Sequence, residues 1–203
     1  NDEIIVIDDK SSDNTVKYVK AQLEGCQCTT QLHCNSKNLG IQKNIANGIR
    51  LATNNIVVFS DQDDIWFDQK IKFIKKAFEC DLAVYVHNAK YFGNDLQNIN
   101  GETSYQHLNT SKNLFKNLVR NGYIGCCMAI DKRYFPTHIL KKVETSVMHD
   151  WYISCFAIRQ KLNIKIDAEI LIMHRRHRNN LTPKKTSVIT KLIMRAKMAW
   201  SLR

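Results

Sequence analysis

In Ser60-Asp-Gln-Asp-Asp-Ile-Trp66, three carboxylates (Asp61, Asp63 and Asp64) directly follow a short apolar run. In extended backbone Asp61 and Asp63 point to the same side. Like charges this close raise one another's pKa unless a cation joins them. Carboxylate oxygens are what hard cations such as Mg2+ and Mn2+ take, commonly one or two of them with substrate phosphates in the rest of the shell. A solvated acidic turn capping the next helix accounts for Asp-x-Asp by itself equally well. A second cluster, Asp8 and Asp9 in Ile7-Asp-Asp-Lys-Ser-Ser-Asp-Asn-Thr15, also ends an apolar run. Alone it reads as an N-cap loop. Together the two clusters suggest more: acceptors for the base and ribose of a nucleotide on one loop, and a metal for its diphosphate on the other. The Gly-x-Gly-x-x-Gly fingerprint and the P-loop are both absent, so phosphate has to be met by metal and cationic side chains.

The elements that would hold these loops alternate between strand and helix. Ile4 to Ile7 form a buried strand within Glu3 to Ile7, and Val16, Val19 and Leu23 recur at helical spacing over Asn14 to Leu23. Thr29 to Cys34 is β-rich, Ile41 to Thr53 carries Ile41, Ile45, Ile49 and Ala52 on one helical face, and Ile56 to Phe59 is a compact strand. A helix over Asp68 to Phe78 and a strand over Leu82 to Val86 continue the pattern. Such a βαβαβ order predicts an α/β fold, a mostly parallel sheet with helices on both faces, with ligands beyond the carboxyl ends of the strands. The loops after Ile7 and Phe59 are then expected at one crevice. Tyr91 to Thr110 reads as a variable loop. Beyond it come a helix over Lys112 to Val119, a strand over Gly125 to Ile130, a helix over His149 to Gln160, and short strands at Ile164 to Ile166 and Ile170 to Met173.

Composition sets the limits of these readings. The 203 residues hold 30 Lys+Arg against 19 Asp+Glu, a formal charge of +11, and 44% are hydrophobic, which describes a globular chain able to bury its own core. With only 7 Gly and 2 Pro, low-complexity linkers and a turn-dense β-sandwich are disfavoured. Seven scattered cysteines fit reduced thiols in a reducing compartment better than a disulfide framework. Cys26, Cys28 and Cys34 near His33 lack the paired spacing of zinc modules. No apolar run reaches the length of a membrane span. A start at Asn1, without Met and almost directly on a strand, is what an excised piece would show.

Three motifs in order, Ile5-Val-Ile-Asp-Asp-Lys-Ser-Ser-Asp-Asn-Thr15, Asn38-Leu-Gly-Ile-Gln-Lys-Asn44 with Gly48 and Ala52, and Phe59-Ser-Asp-Gln-Asp-Asp-Ile-Trp66 with Lys70, resemble the family 2 glycosyltransferases of GT-A fold. Downstream, Gly125-Cys-Cys-Met-Ala-Ile130 looks like that family's acceptor-side strand, and Met148-His-Asp-Trp-Tyr152 like its acidic base motif. Met173-His-Arg-Arg-His-Arg-Asn-Asn180 resembles its Tyr-Arg-x-His-x-x-Asn segment, and the His-Asp-Trp form is similar to that of bacterial rhamnosyltransferase-like members. The family's additional first strand and helix would precede this chain.

The resemblance implies a GT-A domain over residues 1–181, and an inverting transfer of a sugar from a nucleoside-diphosphate sugar to a saccharide or lipid-linked saccharide acceptor. In that scheme Asp8, Asp9, Asn38, Asn44 and Asp61 line the nucleotide pocket. Asp61, Asp63 and His177 hold Mn2+ or Mg2+. Asp150 is the general base, and Arg175, Arg176 and Trp151 face the diphosphate and the acceptor. Trp151 and Trp66 are equally residues that pack in cores. Residues 182–203 carry Lys184, Lys185, Lys191, Arg195, Lys197 and Arg203 around a helical face of Val188, Ile189, Leu192, Ile193, Ala196 and Trp200. That segment is a basic amphipathic helix, expected either on the cytoplasmic membrane surface or docked on the domain by the same face. The rivals are a basic nucleic-acid-binding module, which the dispersed basic residues and acidic loops argue against, and a phosphohydrolase with Asp61 as nucleophile and Asp63 as acid/base.

Overall fold

The β-branched run Ile4 to Ile7 does form the first strand of the computed structural model, which describes residues 2–93, 102–176 and 187–203. In chain order the elements are β1 (Glu3–Asp8), α1 (Thr15–Glu24), β2 (Thr29–Cys34), α2 (Ile41–Leu51), β3 (Ile56–Val58), β4 (Ile65–Trp66), α3 (Lys70–Ala77), β5 (Val84–Phe92), α4 (Ser104–Leu108), α5 (Leu114–Val119), β6 (Met128–Asp131), α6 (Thr137–Thr145), α7 (His149–Arg159), β7 (Ile164–Arg175) and α8 (Val188–Ser201). The chain divides into two compact units, residues 1–57 with 132–145, and residues 58–131 with 146–203. The two acidic loops fall in different units.

In the first unit β1 and β2 pair in parallel, Glu3 opposite Thr29 through Asp8 opposite Cys34. Gly40, at φ 85°, turns the chain into α2, a conformation that side chains with a Cβ rarely adopt. Gly48 lets α2 approach β1, since a Cβ there would meet Ile7 Cδ1 at 3.6 Å. The carboxylate of Glu3 accepts from the Thr53 and Asn54 N–H groups at 2.8 and 2.7 Å, tying the start of β1 to the end of α2. Sequence reading does not predict α6, whose nine residues bury only Ile139, Leu140 and Val143. Pro136 starts it, its carbonyl accepting from the Ile139 and Leu140 N–H groups, and its side chains close on α2, with Arg50 ion-paired to Glu144.

The second unit is organised on β5, which is buried along nearly its whole length. The expected mostly parallel sheet is mixed here: β5 runs parallel to β7, while β6 pairs with β5, and β4 with β7, antiparallel. Just past β3, the Phe59 N–H donates to the Met128 carbonyl of β6 at 3.1 Å. The two short strands expected after α7 are one strand of twelve residues, β7. Between them Asp167, Ala168 and Glu169 bulge out where the register steps from Val86↔Ile166 to Asn88↔Ile170. Polar residues inside a strand are tolerated because Asp167 accepts from the Tyr85 hydroxyl at 3.2 Å and pairs with Lys165. Gly125 to Cys127, expected as strand, form a 3-10 turn instead. A Cβ on Gly125 would lie 2.4 Å from His149 Nε2, so only glycine permits α7 to begin this close to the turn.

No helix among the described residues is long and apolar enough to cross a membrane. The final helix docks on the domain, but not by the expected apolar face. Met198 and Leu202 are buried, and Arg195 Nε donates to the Val119 carbonyl of α5 at 2.7 Å. The stripe of Ile189, Leu192, Ile193 and Trp200 stays exposed. Lys184 and Lys185 lie outside the described residues.

Candidate functional site

In the first unit the Asp8-Asp9 loop is held shut by its own hydrogen bonds. Asp8 is buried and its Oδ2 accepts from the Ser11 N–H at 3.0 Å. Asp9 accepts from the Leu39 and Gly40 N–H groups at 2.7 and 2.9 Å and from Asn35 Nδ2 at 3.0 Å. The same Asn35 amide donates to Asn44 Oδ1 at 2.8 Å, which brings three of the residues expected at a nucleotide pocket, Asp8, Asp9 and Asn44, onto one loop framework with Asn35 as the link. Asn38 is exposed beside them. Partial burial alone would raise the Asp9 pKa, but the bonds from Leu39, Asn35, Gly40 and Asn44 outweigh it and hold the carboxyl at about 2.

Asp9→Ala is therefore expected to cost on the order of 1–3 kcal/mol, the usual contribution of hydrogen bonds to a charged group. With the folded-state pKa depressed, that contribution is present above the ordinary carboxylate range and is lost as pH falls through about 2. Urea unfolding of both proteins at neutral pH measures it. An unchanged midpoint contradicts the structural role of Asp9.

In the second unit the acidic run Asp61 to Asp64 precedes β4, and β4 pairs with the end of β7 through Ile65↔Met173. This pairing delivers His174 and Arg175 to the run. His174 Nδ1 lies 2.8 Å from Asp64 Oδ1 and 3.5 Å from Cys126 Sγ, and the Arg175 N–H donates to Asp64 Oδ1 at 3.0 Å. Arg175 Nε donates to the Asp63 carbonyl at 3.2 Å. The Asp64 side chain is fully buried. Burial alone would raise its pKa, but hydrogen bonds from His174, Cys126 and the Arg175 backbone lower it. Burial likewise pulls the His174 pKa down, and the Asp64 bond overrides it, lifting it to about 10.

Beneath this pair, the fully buried Lys70 donates to the Cys126 carbonyl at 3.0 Å and lies 3.8 Å above the Trp66 ring. Burial lowers its pKa to about 8. Trp66 itself packs against Ala89, Cys126, Cys127 and Ile172, the packing alternative for this residue.

One group of potential metal ligands stands among the described residues: Asp61, Asp64, Cys126 and His174, whose ligand atoms lie within 4.8 Å of one another. The set divides by chemistry. Asp61 is raised by burial and by the neighbouring Asp64 and Asp63 charges, and Asp64 Oδ2 is buried with no hydrogen-bond partner among the described residues. Such oxygens fit a hard cation. His174 carries a proton at neutral pH and the Cys126 thiol is pushed well up by its Cys127 contact and burial, so both must lose protons before they can ligate. The carboxylates fit Mn2+ or Mg2+; the thiol and imidazole do not. His177, the expected third ligand, lies outside the described residues.

Asp150 opens α7 beside the Gly125 turn. It is buried, and its Oδ1 accepts from the Trp151 N–H at 2.6 Å and from Asn121 Nδ2 at 3.2 Å. Burial raises its pKa. His149, its neighbour, stacks edge-on against Phe59 at 5.7 Å, at the head of the Asp61 loop. Trp151 is buried, its indole N–H donating to the Asn117 carbonyl at 2.5 Å, so its ring fills core between α5 and α7. The Arg176 guanidinium lies 3.7 Å over the Tyr91 ring and that of Arg175 5.1 Å over Phe92.

Sequence reading assigns no role to His174, Asn35 or Asn121. His174 stands in a quoted motif, and the acidic run offered the only signal of a partner for it. Asn35 and Asn121 give no signal in a single sequence.

A strand-and-helix scaffold with acidic loops at strand ends is an α/β fold of the GT-A type. Solved structures agree in fold: S. aureus TarS residues 1–349 with UDP at a TM-score of 0.61 and 15% identity, covering 86% of this chain and 51% of that one. The mannosyltransferase PcManGT from Pyrobaculum calidifontis, in complex with GDP-Man and Mn2+, gives 0.63 at 15% identity, over 98% and 62%. The chain belongs to glycosyl transferase family 2, whose family model matches residues 1–139. It is also 26% identical over 189 residues to the dTDP-rhamnosyl transferase RfbG of Shigella flexneri, 87% of this chain and 63% of that protein. The chain thus spans between half and two thirds of the length of these relatives. Neither the nucleic-acid nor the phosphohydrolase reading finds support among them.

Proposed function

We propose that the protein is an inverting glycosyltransferase that moves a sugar from a nucleoside-diphosphate donor to the hydroxyl of a saccharide or lipid-linked saccharide in bacterial polysaccharide or glycolipid assembly. The Shigella relative favours dTDP-rhamnose as donor. The carrying observation is that one unit holds both the Asp61-Asp64 run and a buried carboxylate, Asp150, opening a helix at the Gly125 turn.

Asp150 accepts the proton of the acceptor hydroxyl. Two N–H groups fix one of its oxygens, and burial brings its pKa closer to neutrality, which suits a base. The hydroxyl attacks the anomeric carbon as the bond to the diphosphate breaks, with inversion and no sugar-enzyme intermediate. Asp61, with Asp63 on the strength of the motif and Asp64 as the carboxylate grouped with Asp61, would hold Mn2+ or Mg2+, which would supply positive charge to the leaving diphosphate. Arg175 and Arg176 add cationic charge, a role the motif also gives His177, and Asp64 and His174 keep the acidic loop in place. Asp8, Asp9, Asn38 and Asn44 take the base and ribose. Residues 1–181 form the transferase domain, and the basic segment 182–203, which contains α8, works at the cytoplasmic face of the membrane.

Calorimetric titration of dTDP, UDP and GDP, with and without Mn2+, tests this reading. Metal-dependent binding of dTDP, weakened at least about tenfold in Asp63→Ala, is expected if the acidic run would hold a cation that neutralises phosphate charge. Binding indifferent to both metal and Asp63 overturns the assignment of that loop.

A further inference from the structure

Two helices of the second unit leave an apolar face in water. On α8, Ile189, Leu192, Ile193 and Trp200 recur at helical spacing, with Ile189 70% and Trp200 73% exposed. The helix is nonetheless fixed in place from its other side, by buried Met198 and Leu202 and by Arg195 bound to the Val119 carbonyl. That bond sets α8 beside α5, where Phe115 is 75% and Val119 43% exposed one helical turn apart. Exposed apolar surface on two neighbouring elements marks an interaction site.

Charge selects the partner. No Asp or Glu occurs between Glu102 and Asp131, which contains α5, or from Ile170 to Arg203, which contains α8. Lys116 lies on α5 between Lys112 and Arg120, and Lys197 lies on α8 with Arg203 beyond its end, while Lys191 shares the face of buried Met198. A second protein surface would meet this face with carboxylates at particular points, whereas a lipid bilayer meets it with a continuous apolar layer below anionic headgroups. We propose that α5 and α8 together form a docking face for an anionic membrane surface, Trp200 and Phe115 entering the headgroup-acyl boundary and the basic residues resting on the headgroups. The proposal adds α5 to the face and identifies the lipid by charge. It rests on the proposed activity only for the acceptor being carried in the same bilayer.

The test is co-sedimentation of the full chain with phosphatidylcholine vesicles and with vesicles of phosphatidylcholine mixed with phosphatidylglycerol. Binding to the anionic vesicles is expected about tenfold or more tighter, and weaker as salt rises. Trp200→Glu and Phe115→Glu, at exposed positions remote from the acidic loops, should each weaken it by about tenfold with circular dichroism unchanged. Vesicle binding that ignores lipid charge, or that both variants retain, overturns the proposal. So does absence of vesicle binding, whether with concentration-dependent self-association abolished by Trp200→Glu, which assigns the face to a second copy, or without it, which means other residues of the polypeptide cover it. Calorimetric dTDP binding, measured on the same samples, reports separately on the proposed activity.

Discussion

Asp150→Asn is expected to lower the rate of sugar transfer by about 10²–10⁴, the usual contribution of a positioned general base. Asparagine keeps an oxygen to accept from the Trp151 N–H and from Asn121, but it cannot take the acceptor's proton. Nucleotide affinity should stay the same, because Asp150 touches only the acceptor in the proposed reaction. Stability should hold or rise. A carboxyl whose folded-state pKa is raised by burial opposes folding once pH exceeds its ordinary range, and the amide removes that penalty at neutral pH. Single-turnover transfer and dTDP titration, run on the same preparations, check both halves. A variant that retains the wild-type rate removes Asp150 from the chemistry.

Asp64→Ala should destabilise the protein by about 3–5 kcal/mol, since it strands a buried imidazolium without its hydrogen-bonded counter-charge. Among the described residues, His174 Nδ1 at 2.8 Å from Asp64 Oδ1 has Cys126 Sγ at 3.5 Å as its other hydrogen-bond neighbour, and an Asp61 oxygen lies within 4.8 Å without bonding to it. The pH dependence has a definite sign. His174 has its pKa raised to about 10, so its contribution is complete below its ordinary pKa of 6.5 and declines progressively up to about 10. Asp64, lowered, contributes above its ordinary 3.8 and loses that contribution as pH falls below it. Wild-type stability in chelator should therefore be greatest between these limits and fall toward pH 10. Thermal unfolding across this range, for wild type and for Asp64→Ala, reads the effect. A flat alkaline profile in the wild type contradicts the ion pair.

The two predictions act on residues of opposite legibility. Asp150 stands in a short motif and at a helix start, both visible in the chain. Asp64 is visible only as the last member of an acidic run, and its burial and partner come from β4 pairing with β7, residues more than a hundred positions apart. The helix α6 was hidden for a related reason: its three buried residues make an apolar stripe too short to signal, and α2 completes the face.

The order of residues by itself determined the alternation of strand and helix, the placement of acidic loops at strand ends, and the family to which the chain belongs. These follow from periodicity, turn residues and local motifs, whose physics operates over a few neighbouring positions. Tertiary structure alone decided that the second unit's sheet is mixed, that Asp64 pairs with His174 while Asp61 keeps a raised pKa, that Asn35 joins Asp9 to Asn44, and that the last helix buries Met198 and Leu202 rather than its longer apolar stripe. Each of these depends on which distant segments share a contact. Burial and hydrogen-bond partners are properties of that contact, and no local pattern encodes them.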